Sequence, residues 1–192
     1  MVRAKAVDKR EAILGAATVV FAAGGVWSTP TSAVSKAAGV GEGTLFIYFA
    51  TKADLVNALY CELKGELANV ILSSYPRDAD DRLKIRSIWN EYVNWGVDNP
   101  DKFKVLAQLN VSDHVTAESR SFAQQQYVEL ERLAQDCIRR KVIRKMPAQF
   151  LGTMLATMAE TTMRFVACFG VKPVDYRSLG FDMFWNSVAT AK

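Results

Sequence analysis

Apolar positions along the chain recur in steps of three and four, and no stretch shows the apolar–polar alternation of a half-buried strand. That period belongs to helices with one buried stripe. Ile13, Ala16, Ala17, Val20 and Phe21 predict a first helix over 8–23, with Asp8 as N-cap, Glu11 as its capping partner and Gly24-Gly25 as its stop. The preceding residues, 1–7, are polar and basic and are expected to be disordered. Their Arg3 and Lys5, with Lys9 and Arg10, form either an arm for phosphates or a frayed end. Two short runs follow, 32–38 and 41–49, separated by Gly39-Val40. A fourth stripe runs from Leu55 through Leu59, Leu63 and Leu67 to Ile71, after a Thr51/Asp54 cap. Further stripes predict helices within 78–99, 100–109, 118–142, 147–169 and 176–190, with a polar loop at 110–116. The expectation is an all-α chain of nine helices.

The two short runs carry the strongest local signal. Two short helices that cross steeply need a tight turn and small residues where they touch. Gly39 takes a positive φ cheaply, Ser35 and Ala38 are small, and Val34, Val40 and Leu45 suffice for a miniature core. The pattern is a helix-turn-helix, whose second helix reads the DNA major groove. In that second helix Gly43 lets the backbone approach DNA closely. Thr44 offers a hydroxyl and a methyl, and Ile47 an apolar contact. The same glycines look superficially like a phosphate loop. The residues before them, SAVSKAA, are helical rather than a β-branched strand, and the phosphate-binding lysine is missing.

Composition narrows the picture further. With 192 residues, half of them hydrophobic and 23% charged, the chain can build one or two cored domains. A net charge of +4 permits a nucleic-acid partner without demanding one. Cys61, Cys137 and Cys168 are scattered and His114 is the single histidine, so no metal ligand set, cofactor or catalytic triad is expected, and the chain is read as no enzyme. The thiols are expected to be reduced and buried. No apolar run approaches a membrane span and no secretory leader follows the basic N-terminus, so a cytoplasmic protein without a membrane partner is expected.

The stretch TSAVSKAAGVGEGTLFIYFATKADL, preceded by a helix ending in Gly24-Gly25, resembles the N-terminal domain of the TetR family of transcriptional regulators. Ala37-Ala38-Gly39-Val40, Gly43-Thr44-Leu45, Tyr48-Phe49, Lys52 and Leu55 match that family's pattern. The resemblance is close over 8–60 and architectural beyond. It implies a TetR-like architecture: a DNA-binding domain at 1–52, then an effector-binding and dimerisation domain at 53–192. It also implies a homodimer that acts as a ligand-responsive repressor on palindromic double-stranded DNA. Thr31, Lys36, Tyr48 and Lys52 would grip phosphates, while Glu42, Gly43, Thr44 and Ile47 would face the bases. Three positions depart from the pattern. Gly41 replaces a hydroxyl cap, Phe46 a phosphate-bonding tyrosine, and Glu42 a basic residue. Residues 1–56 hold six Lys/Arg against four Asp/Glu, so the alternative is a sensor or interaction module of the same fold without operator binding.

The C-terminal helices are rich in aromatics and methionine. Trp89, Tyr92, Phe103, Tyr127, Met158 and Phe165, with Asn110, His114 and Thr162 as orienting polar groups, either fill a core or line a pocket for a small hydrophobic effector. The last two helices are expected to pair with their twins in a dimer. Thr153, Ala156, Thr157, Glu160 and Arg164 would lie on one and Phe181, Phe184, Trp185 and Val188 on the other.

Overall fold

The computed structural model describes residues 2–170 and 174–190, with side chains from residue 9 onward. The chain is helical, and no strand forms among the described residues. Among the described residues ten helices follow in order: α1 Val2–Gly24, α2 Thr31–Ala37, α3 Glu42–Tyr48, α4 Lys52–Ser73, α5 Asp81–Asp98, α6 Pro100–Asn110, α7 Ala117–Gln125, α8 Val128–Arg139, α9 Ala148–Phe169 and α10 Tyr176–Val188. Two corrections concern helix ends. α1 begins at Val2, so Asp8 lies inside it rather than capping it, and 2–7 are helical. The contacts of the expected basic arm at Arg3 and Lys5 lie outside the described side chains. The helix expected over 118–142 is two helices, broken at Gln126-Tyr127. Neither residue is a breaker by composition. α7 buries Ala123 and α8 buries Cys137.

The chain forms two compact units. The first comprises 1–65 and 99–124, the second 66–98 and 125–192. As packing, the first unit therefore extends well past residue 52, taking in the start of α4, all of α6 and most of α7.

In the first unit α1 packs on α2 and α6. Ile13, Leu14, Ala17 and Phe21, one helical stripe, are buried with Leu55, Leu59 and Leu63 of α4 and Val105, Leu106 and Leu109 of α6. The α1 terminus closes as expected: Gly25 has φ +84° and its N–H donates to the Phe21 carbonyl at 2.8 Å. α4 opens with the predicted reciprocal cap. Thr51 N–H donates to Asp54 Oδ2 at 2.9 Å, and Asp54 N–H donates to Thr51 Oγ1 at 3.1 Å. Side-chain amides clamp the loops. Gln108 Oε1 accepts from Val26 N–H at 3.1 Å. Asn57 donates to the His114 carbonyl at 3.1 Å and accepts from Thr116 N–H at 2.9 Å. These bonds satisfy backbone groups that no helix reaches.

In the second unit α9 packs against α5, α8 and α10. Its centre is Trp89, fully buried. The indole stacks on Phe184 with ring centroids 5.8 Å apart and meets Phe181 edge-on at 6.1 Å. Its Nε1–H donates to the Arg177 carbonyl at 3.1 Å, so the one polar atom of the ring is satisfied. α10 approaches this core through Gly180. A Cβ there would collide with Thr162 Oγ1 and come within 2.9 Å of Trp89 Cζ2. Gly180→Ala is therefore expected to cost about 1–3 kcal/mol, the usual penalty of overpacking. Gly96→Ala, which meets only the flexible end of Met163, is expected to cost less. Thermal unfolding of the two variants side by side checks the order.

The basic run at 139–145 serves the fold. Arg139 bonds Asp136 at 2.7 Å, Arg140 bonds Asp81 at 2.8 Å, and Arg144 Nε donates to the Ala189 carbonyl at 3.1 Å. Of the cysteines, Cys137 is buried and its thiol is pushed up to about 11, first by desolvation and then by the Asp81 carboxylate. Cys168, expected to be buried, is exposed on α9.

Candidate nucleic-acid interface

The helix-turn-helix is built as the spacing predicts. Gly39 has φ +66° and donates to the Lys36 carbonyl at 3.2 Å, and Val40 N–H donates to Ser35 O at 3.0 Å. The chain reverses in two residues and starts α3 from Gly41, whose carbonyl accepts from Thr44 N–H at 2.9 Å. No side chain caps α3, as expected for glycine at that position. Leu45 and Phe49, one turn apart, are buried beside Val34 of α2 and anchor the inner side of α3. The outer side is presented to solvent. Ile47 is 81% exposed and Phe46 42%, and Glu42 and Gly43 are exposed as well. Thr44 and Tyr48 are half-buried at its edges.

The expected phosphate contacts divide. Lys36 is exposed and Thr31 half-buried, both on α2 and both near enough to the surface to reach a backbone. Lys52 is a correction. Its Nζ donates to the carbonyls of Trp27 at 3.0 Å and Thr29 at 2.6 Å, over the Phe21 and Trp27 rings. Partial burial lowers its pKa. It holds the 27–30 turn to the start of α4 instead of reaching outward. The loop ahead of proline-led α2 has carbonyls with no helical partner, and a lysine is the donor long enough to serve two of them.

The expected effector residues fall in both units. Phe103, Asn110 and His114 belong to the first unit, and Trp89, Tyr92, Tyr127, Met158, Thr162 and Phe165 to the second. His114 is exposed and lies on the Trp27 ring, centroids 4.3 Å apart. Asn110 gives its carbonyl to Arg120 at 3.2 Å. Trp89, Tyr92 and Thr162 are sealed in the core, and the Thr162 hydroxyl donates to the Met158 carbonyl at 2.9 Å. Burial raises the pKa of the Tyr92 phenol far above its usual range. Tyr127 and Met158 are half-buried, and Phe165 is 45% exposed. An open cleft of about 510 Å³ in the second unit has a different lining: Arg86, Asn90, Glu91, Asn94, Asp175, Arg177 and Ser178, which are polar rather than aromatic.

The expected dimer residues also divide. Phe181 and Phe184 are fully buried and Val188 nearly so, all inside the protomer's own core. They cannot contact a second chain, because α10 turns that face toward Trp89. Trp185 is half-buried and stacks on Phe181. Thr153, Thr157 and Arg164 are exposed as expected, while Ala156 and Glu160 are half-buried. The outward apolar groups are others. Phe165, Phe169 and Tyr176 cluster with centroids 5.3–6.1 Å apart. Leu179 and Met183, 48% and 58% exposed, continue the stripe along α10. Their spacing from Tyr176, steps of three and four, was legible. The competing stripe of larger aromatics hid it.

Comparison with known proteins agrees with this geometry. Residues 13–59 match the family model of bacterial regulatory proteins of the tetR family. The fold recurs in a TetR family transcription regulator from Marinobacter aquaeolei VT8, at TM-score 0.89 and 24% identity, covering 98% of this chain and 100% of that one. It recurs in a TetR-family transcriptional regulator from Haemophilus influenzae Rd, at TM-score 0.78 and 14% identity, covering 96% and 98%. A third similar structure is the fatty acid degradation regulator FadR from Bacillus halodurans, at TM-score 0.71 and 20% identity, covering 93% of each chain. No helix of the described residues is long and apolar enough to cross a membrane. The helix-turn-helix thus matches the family model of the tetR regulators over residues 13–59, and the chain shares its fold along almost its whole length with solved structures of such regulators.

Proposed function

We propose that the protein is a homodimeric, ligand-responsive repressor that binds a palindromic operator and is released by a small hydrophobic effector. The observation that carries the reading is α3. Its inner side is locked by Leu45 and Phe49, and its outer side, with Ile47 81% exposed, is turned to solvent. In this reading Thr31, Lys36 and Tyr48 hold phosphates, which fixes register and makes binding salt-dependent. Glu42, Gly43, Thr44 and Ile47 meet base edges. Lys52 is left out of the phosphate set because its donors serve the 27–30 turn. Dimerisation proceeds through α9 and α10, where Phe165, Phe169, Leu179 and Met183 leave an apolar face uncovered. The effector acts by its differential affinity for two conformers of the dimer.

Selection from a randomised duplex pool tests the reading. The expected product is an inverted repeat with half-sites roughly one helical turn apart, ~34–36 Å, bound in a salt-sensitive manner. A second reading, a sensor of the same fold that does not bind operator DNA, draws on one observation: α3 carries Glu42 and no lysine or arginine. A pool from which nothing is enriched would favour it.

A further inference from the structure

The outer side of α3 has an unusual chemistry for a base reader. Guanine is read by arginine or lysine and adenine by asparagine or glutamine, each through paired hydrogen bonds. None of these four residue types occurs between Gly41 and Phe49. What α3 presents is apolar and acidic: Ile47, Phe46, the Thr44 methyl and the Glu42 carboxylate. Thr44 and Ile47 are one turn apart and share a face, as do Gly43 and Ile47. Gly43 adds an independent observation. A Cβ built there meets nothing within 4 Å, so no packing among the described residues requires glycine. Glycine inside a helix costs roughly 0.5–1 kcal/mol against alanine. Its place beside Ile47, 81% exposed, fits the close approach of another molecule.

We propose that this helix reads its half-site through thymine C5-methyl groups. Ile47 is the principal contact and Thr44 and Phe46 flank it, while Glu42 accepts from a cytosine amine and no guanine is contacted directly. The inference rests on the operator-binding reading and names the bases that reading requires. The methyl group is the one feature of thymine in the major groove that an isoleucine can recognise.

The test uses the full-length protein and the duplex enriched from a random pool. Each thymine is replaced in turn by deoxyuridine, which keeps every hydrogen bond and removes only the methyl. At one or more positions in each half-site, affinity is expected to fall roughly fourfold, the value of one buried methyl-sized group. Ile47→Ala is expected to bind thymine and uracil duplexes equally at the principal position. Because Ile47 is 81% exposed, its removal leaves the core intact, and an unchanged melting temperature verifies this. Equal binding of thymine and uracil duplexes by the unmodified protein would overturn the inference while leaving operator binding standing. Failure to enrich any duplex would overturn the operator-binding reading and the inference with it.

Discussion

Trp89→Ala is expected to lower the unfolding free energy by about 3–5 kcal/mol, the range for removing a large buried aromatic. The indole is fully buried and is the only described side chain that touches both Phe181 and Phe184 through ring contacts. Three losses combine. The apolar area of the ring is no longer buried. A cavity remains, because α10 is held close at Gly180 by Thr162 and cannot simply collapse inward. The Arg177 carbonyl loses its 3.1 Å donor at the first turn of α10. A domain's whole stability is typically ~5–15 kcal/mol, so the variant should be marginal. Urea unfolding followed by far-ultraviolet circular dichroism checks it. A loss below about 1 kcal/mol would mean that the second unit is not organised around this residue. Phe169→Ala is the contrast: at 59% exposure it should change protomer stability little.

The second large effect concerns assembly. Replacing Leu179 and Met183 together by aspartate is expected to weaken the proposed dimer by roughly a hundredfold or more. Both side chains are exposed in the protomer, so charges there are harmless to the isolated fold. A two-fold interface repeats each change on both sides, placing four carboxylates in an apolar contact with no partner for any of them. Operator affinity should fall in parallel, because two linked heads bind far more tightly than two separate ones. Light scattering across a dilution series measures the first effect and duplex titration the second. A dimer that survives the double change would place the interface elsewhere. The corresponding change at Phe181 or Phe184 would instead unfold the protomer.

Where the sequence was legible, short-range chemistry settled the matter. The Gly39 turn, the Gly25 terminus and the Thr51/Asp54 cap each rest on a residue type with a specific backbone role, and each formed as expected. The break between α7 and α8 carries no such residue. Gln126-Tyr127 interrupts a good helical sequence with no glycine, proline or capping residue to mark it. Periodicity also fails when both faces of a helix are apolar. On α10, Phe181 and Phe184 compete with Leu179 and Met183 as the inward stripe, and only Trp89, distant in sequence, decides between them. Lys52 illustrates a third limit. A lysine at a position suited to phosphate contact was claimed instead by two loop carbonyls, which no local pattern displays. Trp89 and Tyr92, expected among the effector residues, show a related limit. A stripe of large residues reads alike whether a cavity or another helix faces it, and at Trp89 and Tyr92 it is another helix.

In the proposed function, α3 reads DNA as one of a symmetric pair. Hydroxyl-radical footprinting on the enriched duplex tests it most directly. Two protected patches are expected on one face of the DNA, about one helical turn apart and related by a two-fold axis. They should fade together as salt is raised, because both depend on phosphate contacts. A single patch, or no protection at low salt, would contradict it.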